Sequence, residues 1–180
     1  MSDPERHRYL RLNPEKGRRE IVSLAFERMH VKAPEMVNEL ADTYGIERME
    51  AVYVLPGAID TLKRFREEGT RLALITNGSS DMQRSKLERF QLAPLFDSIL
   101  IEEEFGTGKP DKRVFRYTLE KLKVDANETW MVGDDLERDI GGAQKVGISG
   151  IWVDWRCIGL PQPGDIRPSR IIRSISELLP

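Results

Sequence analysis

Two patterns of hydrophobic and polar positions divide the chain near residue 50. Before that point the apolar residues recur at helical spacing, and no apolar run has the character of a buried strand. Asn13-Pro14 predicts an N-cap followed by proline at the first helical position, opening a helix through about His30. Ala33-Pro34 predicts the start of a second helix, which we expect to end at Gly45. The apolar positions on one side of these two helices are Ile21, Leu24, Ala25, Met29, Met36, Val37, Leu40 and Ala41.

From Val52 onward, short apolar runs of strand length alternate with segments of helical periodicity. The predicted strands are Arg71–Thr76, Ser98–Ile101, Thr129–Val132 and Gly150–Val153. The predicted helices are the segment from Pro56 to Gly69, Asp81–Phe90, the segment beginning at Asp111, Leu136–Val146, and a last short helix with a capping box of Ser174 and Glu177. Strands that alternate with helices of this length favour parallel crossovers. We therefore predict an α/β protein with a three-layer, Rossmann-like parallel sheet core.

Composition narrows the class of protein without naming a function. Of the 180 residues, 39% are hydrophobic and 32% charged, which is typical of one compact domain with a small appendage. The net charge of -2 gives no electrostatic reason to expect nucleic acid as a partner. The one cysteine, Cys157, cannot form an internal disulfide, and no apolar run approaches the length of a membrane span. We expect a cytoplasmic protein with no membrane partner.

The first candidate binding loop is Thr76-Asn77-Gly78-Ser79, directly after a predicted strand. In an open parallel sheet, the carboxyl ends of the strands share one edge, where ligands bind. A hydroxyl and consecutive amides in a glycine-containing turn before a helix suit a phosphate oxygen. The alternative is an ordinary strand-to-helix turn.

The second candidate loop is Gly106-Thr107-Gly108-Lys109-Pro110, which follows the next predicted strand. It places a lysine in a rigid, glycine-flanked segment, where a compact cation can pair with both a carboxylate and a phosphate. The alternative is a merely solvated lysine. The segment is not a phosphate-binding P-loop, because the earlier glycine is absent and no Ser or Thr follows Lys109.

The third candidate loop begins at Gly133 and contains Asp134, Asp135 and Asp139. Crowded carboxylates at a strand end repel one another unless a cation compensates them. Mg2+ prefers oxygen ligands and typically takes one or two carboxylates. The alternative is that Asp135 caps the following helix while Asp139 belongs to its first turn, an interpretation that suits Asp134 poorly.

These three loops together resemble the motifs of the haloacid dehalogenase superfamily, in its phosphoglycolate phosphatase-like branch with a helical cap. The matching segments are Leu74-Ile75-Thr76-Asn77-Gly78, Gly108-Lys109-Pro110 with Val114-Phe115, and Val132–Ile140 with Gly142-Ala143. The resemblance covers the chain after Val52 closely. It implies that residues 1–51 are a partial helical cap and that residues 52–180 are the core.

By this resemblance, the chain is of the Mg2+-dependent phosphatase type and acts on a small phosphorylated metabolite. Lys109 would be catalytic and, with Thr76, Asn77 and Gly78, would bind phosphate. The metal would be held by Asp134, with Asp135 and Asp139 completing or orienting its water shell. The reaction would be phosphoryl transfer to an aspartate and hydrolysis of the aspartyl-phosphate. Dehalogenation needs no metal, so the aspartate cluster disfavours it.

One family motif has no counterpart in this sequence. The family carries an Asp-x-Asp-x-Thr segment after an apolar strand near the N-terminus, and its first aspartate is the nucleophile. Asp3 follows no strand, and Asp154 lacks the second aspartate and stands in the wrong order. By the resemblance, the missing strand is central in the sheet, so its loss would leave backbone groups of both neighbours unpaired.

Three interpretations of this gap stay open. In the first, the chain is a fragment or a misassigned reading frame of a longer enzyme. In the second, another segment completes the sheet, such as Ala51–Val54, a partner strand or a second copy in a homodimer. In the third, the protein is a non-catalytic phosphate- and metal-binding or interaction protein. Under each of them, the 180 residues as they stand should hydrolyse phosphomonoesters far more slowly than the family does, since the nucleophile is absent.

Overall fold

A computed structural model describes residues 3–161 and 164–179 of the chain. The chain separates into two compact units, one ending at Tyr53 and the other beginning at Val54. No helix within those described ranges combines the length and the apolarity needed to cross a bilayer.

The first unit contains three helices, where the sequence predicted two. They are α1 (Pro4–Leu12), α2 (Pro14–Arg28) and α3 (Pro34–Glu50). The unpredicted α1 begins after Asp3, whose carboxylate accepts the N–H of Glu5 at 2.9 Å. Asn13 stands at the N-cap of α2 and Pro14 at its start, as predicted, but the Asn13 side chain caps no amide of α2 and donates to the carbonyl of Tyr9 in the preceding helix.

Small residues fill the helix contacts of this unit, and most of the apolar side predicted from the sequence does not. Gly17 of α2 is buried against Leu10 of α1. The contact between α2 and α3 buries Ala41, which belongs to the predicted side, and Gly45, so Gly45 lies inside α3 and does not end it. The Nε of Arg18 donates to the carbonyl of Ala41 at 3.1 Å across this contact. The predicted apolar side is instead largely exposed, with Ile21 at 67%.

The second unit alternates strands and helices as predicted. Its helices are α4 (Ala58–Glu67), α5 (Ser80–Arg89), α6 (Glu102–Phe105), α7 (Lys112–Leu122), a π-helical turn (Leu136–Gly141) and α8 (Gly142–Gln144). Short 3-10 turns cover Ala93–Leu95, Ala126–Glu128 and Ile175–Leu178. Its strands are β1 (Ala73–Thr76), β2 (Ser98–Ile101), β3 (Trp130–Gly133), β4 (Ser149–Val153) and β5 (Arg170–Ile172).

All strand pairs in this unit are parallel, which confirms the predicted α/β class. β1 pairs with β2 so that Thr76 lies opposite Ile101, and β4 lies between β3 and β5. The sequence did not predict β5, because two of its three residues are exposed and it lacks a buried apolar run.

The strands form two sheets instead of one, with β1-β2 in the first and β3-β4-β5 in the second. No strand in the described part of the chain pairs with the outer edge of β1 or of β3. Residues 51–54 are described and form no strand, so the suggestion that they complete the sheet is wrong. A break of this kind is what a missing strand would leave.

One hydrophobic core joins the two sheets. Val114 and Phe115 of α7 pack with Leu100 of β2 and with Ala143 and Ile148 from the half of the unit that holds β3 and β4. Ile75 of β1 and Met131 of β3 pack against this same cluster. The carboxyl ends of β1 and β3 are therefore carried by a single packed body.

Candidate active site

The side chain of Asn77 joins the first candidate loop to the second. Its Nδ2 donates to the carbonyl of Lys109 at 2.8 Å, and its Oδ1 accepts the N–H of Lys109 at 2.8 Å. This reciprocal pair satisfies both backbone groups of the lysine. The Asn77 side chain therefore positions Lys109 through the main chain of the lysine, and the contact of the Asn77 backbone amide with phosphate stays a prediction.

Gly108 is required by the close approach of these loops. A Cβ at this position would lie 2.6 Å from Oδ1 of Asn77 and 2.7 Å from Cδ of Glu102. Neither group can move away without losing its contacts, because the Asn77 side chain holds Lys109 and the carboxylate of Glu102 accepts the N–H of Gly78 at 2.9 Å.

Lys109 reaches the third loop through an ion pair with Asp139. The Nζ of Lys109 lies 2.7 Å from Oδ1 of Asp139, and the two side chains are only 13% and 6% exposed. The other oxygen of Asp139 accepts the N–H of Asp135 at 3.1 Å. The structure thus brings the second and third loops together, and it engages Asp139 with the lysine and the main chain.

Asp135 makes the contacts of a helix cap. Its Oδ1 accepts the N–H groups of Glu137 at 3.1 Å and of Arg138 at 2.8 Å, at the start of the π-helical turn. Such contacts satisfy amides that a helix start leaves without partners. The geometry of Asp135 therefore matches the capping alternative.

Asp134 carries the least engaged carboxylate of the three. It is exposed at the end of β3, and its Oδ2 lies 3.4 Å from the indole nitrogen of Trp155. It lines a cavity of about 570 Å³. The other residues around this cavity are Asp135, Leu136, Glu137, Trp152, Val153, Asp154, Trp155, Arg156, Ile158, Gly159 and Pro161.

These contacts allow a test of whether the residues suit a divalent metal. Within the described ranges no three His, Cys, Asp or Glu side chains are grouped so that they could hold a metal ion. Mg2+ needs only one or two protein carboxylates and fills its other positions with water and substrate. The donor set therefore fits Mg2+ with Asp134 as the protein ligand, and it does not fit a cage formed by all three aspartates.

Glu102 anchors the first loop through a hydrogen bond, and the sequence patterns did not identify this residue. Glu102 is 1% exposed, and the N–H that it accepts from Gly78 is consequently directed at the protein instead of at a ligand. Thr76 stands at the end of β1 and is partly buried. No sequence signal singles out Glu102, since it opens the run Glu102–Glu104 and matches an ordinary acidic first turn.

Asp111 ends the second loop and caps α7, as the sequence predicted. Its Oδ1 accepts the N–H of Arg113 at 2.9 Å. The Arg113 guanidinium, then the Arg113 N–H and more weakly the Thr107 hydroxyl, lower the pKa of this carboxyl to about 2. Asp111 therefore fixes the loop that carries Lys109 to the start of a core helix.

Comparison with known proteins identifies the family to which this sequence is similar. Residues 9–153 match the family described as haloacid dehalogenase-like hydrolase. Phosphoserine phosphatase of Thermus thermophilus is 44% identical over 123 residues, which are 68% of this chain and 49% of that protein. Ribulose-1,5-bisphosphate 5-phosphatase of Halopiger xanaduensis is 38% identical over 128 residues, which are 70% of this chain and 54% of that protein. The chain spans about half the length of these curated relatives.

A solved structure supports the same assignment. The HAD-hydrolase YfnB of Bacillus subtilis, in a magnesium-bound crystal form, superposes with a TM-score of 0.69 at 26% identity. The match covers 92% of this chain and 79% of YfnB. The resemblance of the three loops is therefore confirmed over most of the sequence, and the chain belongs to the haloacid dehalogenase-like hydrolase family.

Proposed function

We propose that this chain is the phosphate- and metal-handling part of a Mg2+-dependent phosphatase that acts on small phosphorylated metabolites. The observation that carries the proposal is the hydrogen-bonded path from Asn77 through Lys109 to Asp139 at the carboxyl ends of β1 and β3. Relatives named as phosphatases, among them the Thermus phosphoserine phosphatase, support the reaction class.

In this proposal Lys109 is the cation that binds the phosphoryl group through hydrogen bonds. A lysine ammonium has three donors, so Lys109 can keep its contact with Asp139 and still donate to a phosphate oxygen. The Thr76 hydroxyl at the end of β1 would donate to the same group. Asp139 and Asn77 then position Lys109, one from its ammonium end and the other from its main chain.

Asp134 would hold Mg2+, because its carboxylate is exposed and the least engaged of the three aspartates. When bound, the metal would polarise the phosphoryl oxygens and offset the negative charge that gathers in the transition state. Asp135 would act indirectly, because capping the turn fixes the backbone that follows Asp134.

We further propose that the nucleophilic carboxylate arrives on an additional strand between β1 and β3. β1 pairs in parallel with β2, and β3 pairs in parallel with β4. The other edge of β1 and the other edge of β3 have no strand partner among the described residues. A strand running parallel to them would deliver its last residue to the edge where Lys109 and Asp134 lie. A longer form of the chain, a partner or a second copy in a homodimer could supply it.

A steady-state assay with an aryl phosphate and Mg2+ tests this proposal. The unaltered 180-residue protein should show turnover several orders of magnitude below that of the same protein extended by an apolar strand ending in Asp-x-Asp, because positioning a nucleophile supplies much of the acceleration. A matched extension ending in Asn-x-Asp should stay inactive. Brisk turnover by the unaltered chain that Lys109→Ala abolishes would show that a nucleophile is already present.

A second candidate function is phosphate and metal binding without turnover. It is favoured by the engagement of Asp135 and Asp139 in capping and ion pairing, which leaves Asp134 as the least committed carboxylate of the cluster. Saturable binding of inorganic phosphate by the unaltered chain, combined with an inactive Asp-x-Asp extension, would support this candidate over the phosphatase.

A further inference from the structure

A buried tryptophan holds the main chain of Asp134. Trp152 is 2% exposed and pairs with Gly133 in the register of β3 and β4. Its indole N–H donates to the backbone carbonyl of Asp134 at 2.9 Å. A buried indole needs such a partner, so this contact ties the residue after β3 to the neighbouring strand.

A second tryptophan approaches the carboxylate of the same residue. The indole nitrogen of Trp155 lies 3.4 Å from Oδ2 of Asp134, at the long end of hydrogen-bond distances. The guanidinium of Arg156 lies 4.6 Å from the centre of the Trp155 ring and restrains it by a cation–π contact. The two indole nitrogens donate to the backbone carbonyl and to Oδ2 of Asp134, and neither donates to Oδ1.

The loop that carries Trp155 is fixed from within the fold. Asp154 is 8% exposed, and its N–H donates to the carbonyl of Ile172 in β5 at 2.7 Å. Its carboxylate accepts the N–H groups of Ile158 at 2.9 Å and Gly159 at 2.8 Å. The position of Trp155 is therefore set by a buried anchor one residue away.

We propose that Trp152 and Trp155 are positioning residues for Asp134, the first through its main chain and the second through its carboxylate. This inference rests on the proposed function, which makes Asp134 the protein ligand of Mg2+. An indole N–H is a neutral donor with no lone pair to offer, so it orients a carboxylate without competing for the cation. Trp155 occupies Oδ2 of Asp134 and leaves Oδ1 to the metal, while Trp152 fixes the backbone that carries this carboxylate.

The first test measures Mg2+ affinity by calorimetric titration of the full chain. Trp155→Phe removes the N–H and keeps an aromatic ring, and it should weaken Mg2+ binding about 10-fold, the lower end of what loss of an outer-shell partner costs. Trp130→Phe is the matched control, because Trp130 is 59% exposed and stands at the opposite end of β3. It should leave the affinity unchanged.

Asp134→Asn separates failure of this inference from failure of the proposed function. If Asp134→Asn binds Mg2+ as the unaltered chain does, or if the unaltered chain shows no saturable binding, the metal assignment of the proposed function is wrong and the inference falls with it. If Asp134→Asn loses binding while Trp155→Phe matches Trp130→Phe, only the positioning role is overturned.

A second test needs no metal. In nitrogen-15 NMR spectra, Asp134→Asn should move the indole N–H resonance of Trp155, because its acceptor changes from a carboxylate to an amide, and should leave that of Trp130 in place. An unmoved Trp155 resonance would overturn the carboxylate contact. Trp152→Phe should weaken Mg2+ binding more than Trp155→Phe, and an affinity equal to that of Trp130→Phe would overturn the main-chain role of Trp152. If Trp152→Phe fails to fold, the two Trp155 tests still decide the carboxylate contact.

Discussion

At the scale of single residues, the site is organised by a lysine that is nearly withdrawn from solvent. The ion pair joins Lys109 and Asp139, which are 30 residues apart in the sequence, where the second and third loops meet. Desolvating such a pair is costly, and its attraction is retained only while both partners are present. Substituting only one partner should therefore lower the free energy of unfolding, because the other charge stays buried without compensation.

Lys109→Met should lower the free energy of unfolding by about 3 kcal/mol, because it leaves the buried carboxylate of Asp139 without its cation. Adding Asp139→Asn should recover part of this loss, since the amide is neutral and its oxygen still accepts the N–H of Asp135. Urea denaturation of the single and double variants measures both effects. Lys112→Met, at an exposed lysine of α7, is the control. Equal stability of Lys109→Met and this control would contradict the prediction.

Asp111 should give the protein an acid-sensitive contribution to stability. The pKa of Asp111 falls from an ordinary 3.8 to about 2 in the folded state, with the Arg113 guanidinium as the leading cause. A lowered folded pKa means that the stabilisation is complete above about pH 4 and is lost as the pH falls towards about 2. Asp111→Asn keeps a capping side chain and removes the charge.

The stability deficit of Asp111→Asn should therefore be largest at neutral pH and should narrow between about pH 4 and pH 2. Urea denaturation across this pH range measures it. Asp125→Asn, at an exposed aspartate that makes no capping hydrogen bond through its side chain, is the control and should show no such trend. A deficit of constant size at every pH would rule out the charge as its source.

The sequence could identify the residue types at the site but could not assign their partners. Lys109 and three aspartates were predicted from motif positions, and the structure shows that Asp139 is the one paired with the lysine. Which aspartate pairs with Lys109 depends on the backbone path after β3, which returns Asp139 to a position next to Gly133 at the end of the strand. Spacing alone does not reveal it, because Asp135 and Asp139 both lie within one helical turn of the loop.

At the scale of elements, buried strands were predicted better than helix ends. Ser98–Ile101 was predicted with its observed bounds, because three consecutive apolar residues between polar positions are a strong signal. Leu136–Val146, predicted as one helix, is a π-helical turn followed by the short α8. Consecutive glycines at 141 and 142 weaken an ordinary α-helix there.

Gly133 shows how tightly β3 and the π-helical turn are joined. A Cβ at Gly133 would lie 2.6 Å from Cγ of Asp139, so any side chain would push this carboxylate away from Lys109. Gly133→Ala should cost about 1–3 kcal/mol of unfolding free energy, as overpacking typically does. Combined with Asp139→Ala, which removes the obstructed carboxylate, it should cost less than the sum of the two single changes. Strict additivity in urea denaturation would show that the contact is absent.

At the scale of the whole molecule, the second unit has two sheets that share one hydrophobic cluster. Adding the apolar strand described above should slow amide hydrogen exchange in Ala73–Thr76 and Trp130–Gly133, because both would gain a second hydrogen-bonded neighbour. Exchange in Arg170–Ile172 should not change, because β5 lies at the far edge of its sheet. Mass spectrometry of peptic fragments measures all three segments. Unchanged exchange in the first two would mean that the added strand does not enter between them.

The edges of β1 and β3 that no strand of the described residues covers also bear on how the protein behaves when it is concentrated. An edge strand offers a row of free N–H and C=O groups to any extended segment it meets, including those of neighbouring molecules. Here two such edges belong to apolar strands that carry no proline, so the usual protection by proline is lacking. We therefore expect the 180 residues to self-associate at high concentration, and occupation of the two edges should reduce this association as well as increase catalysis.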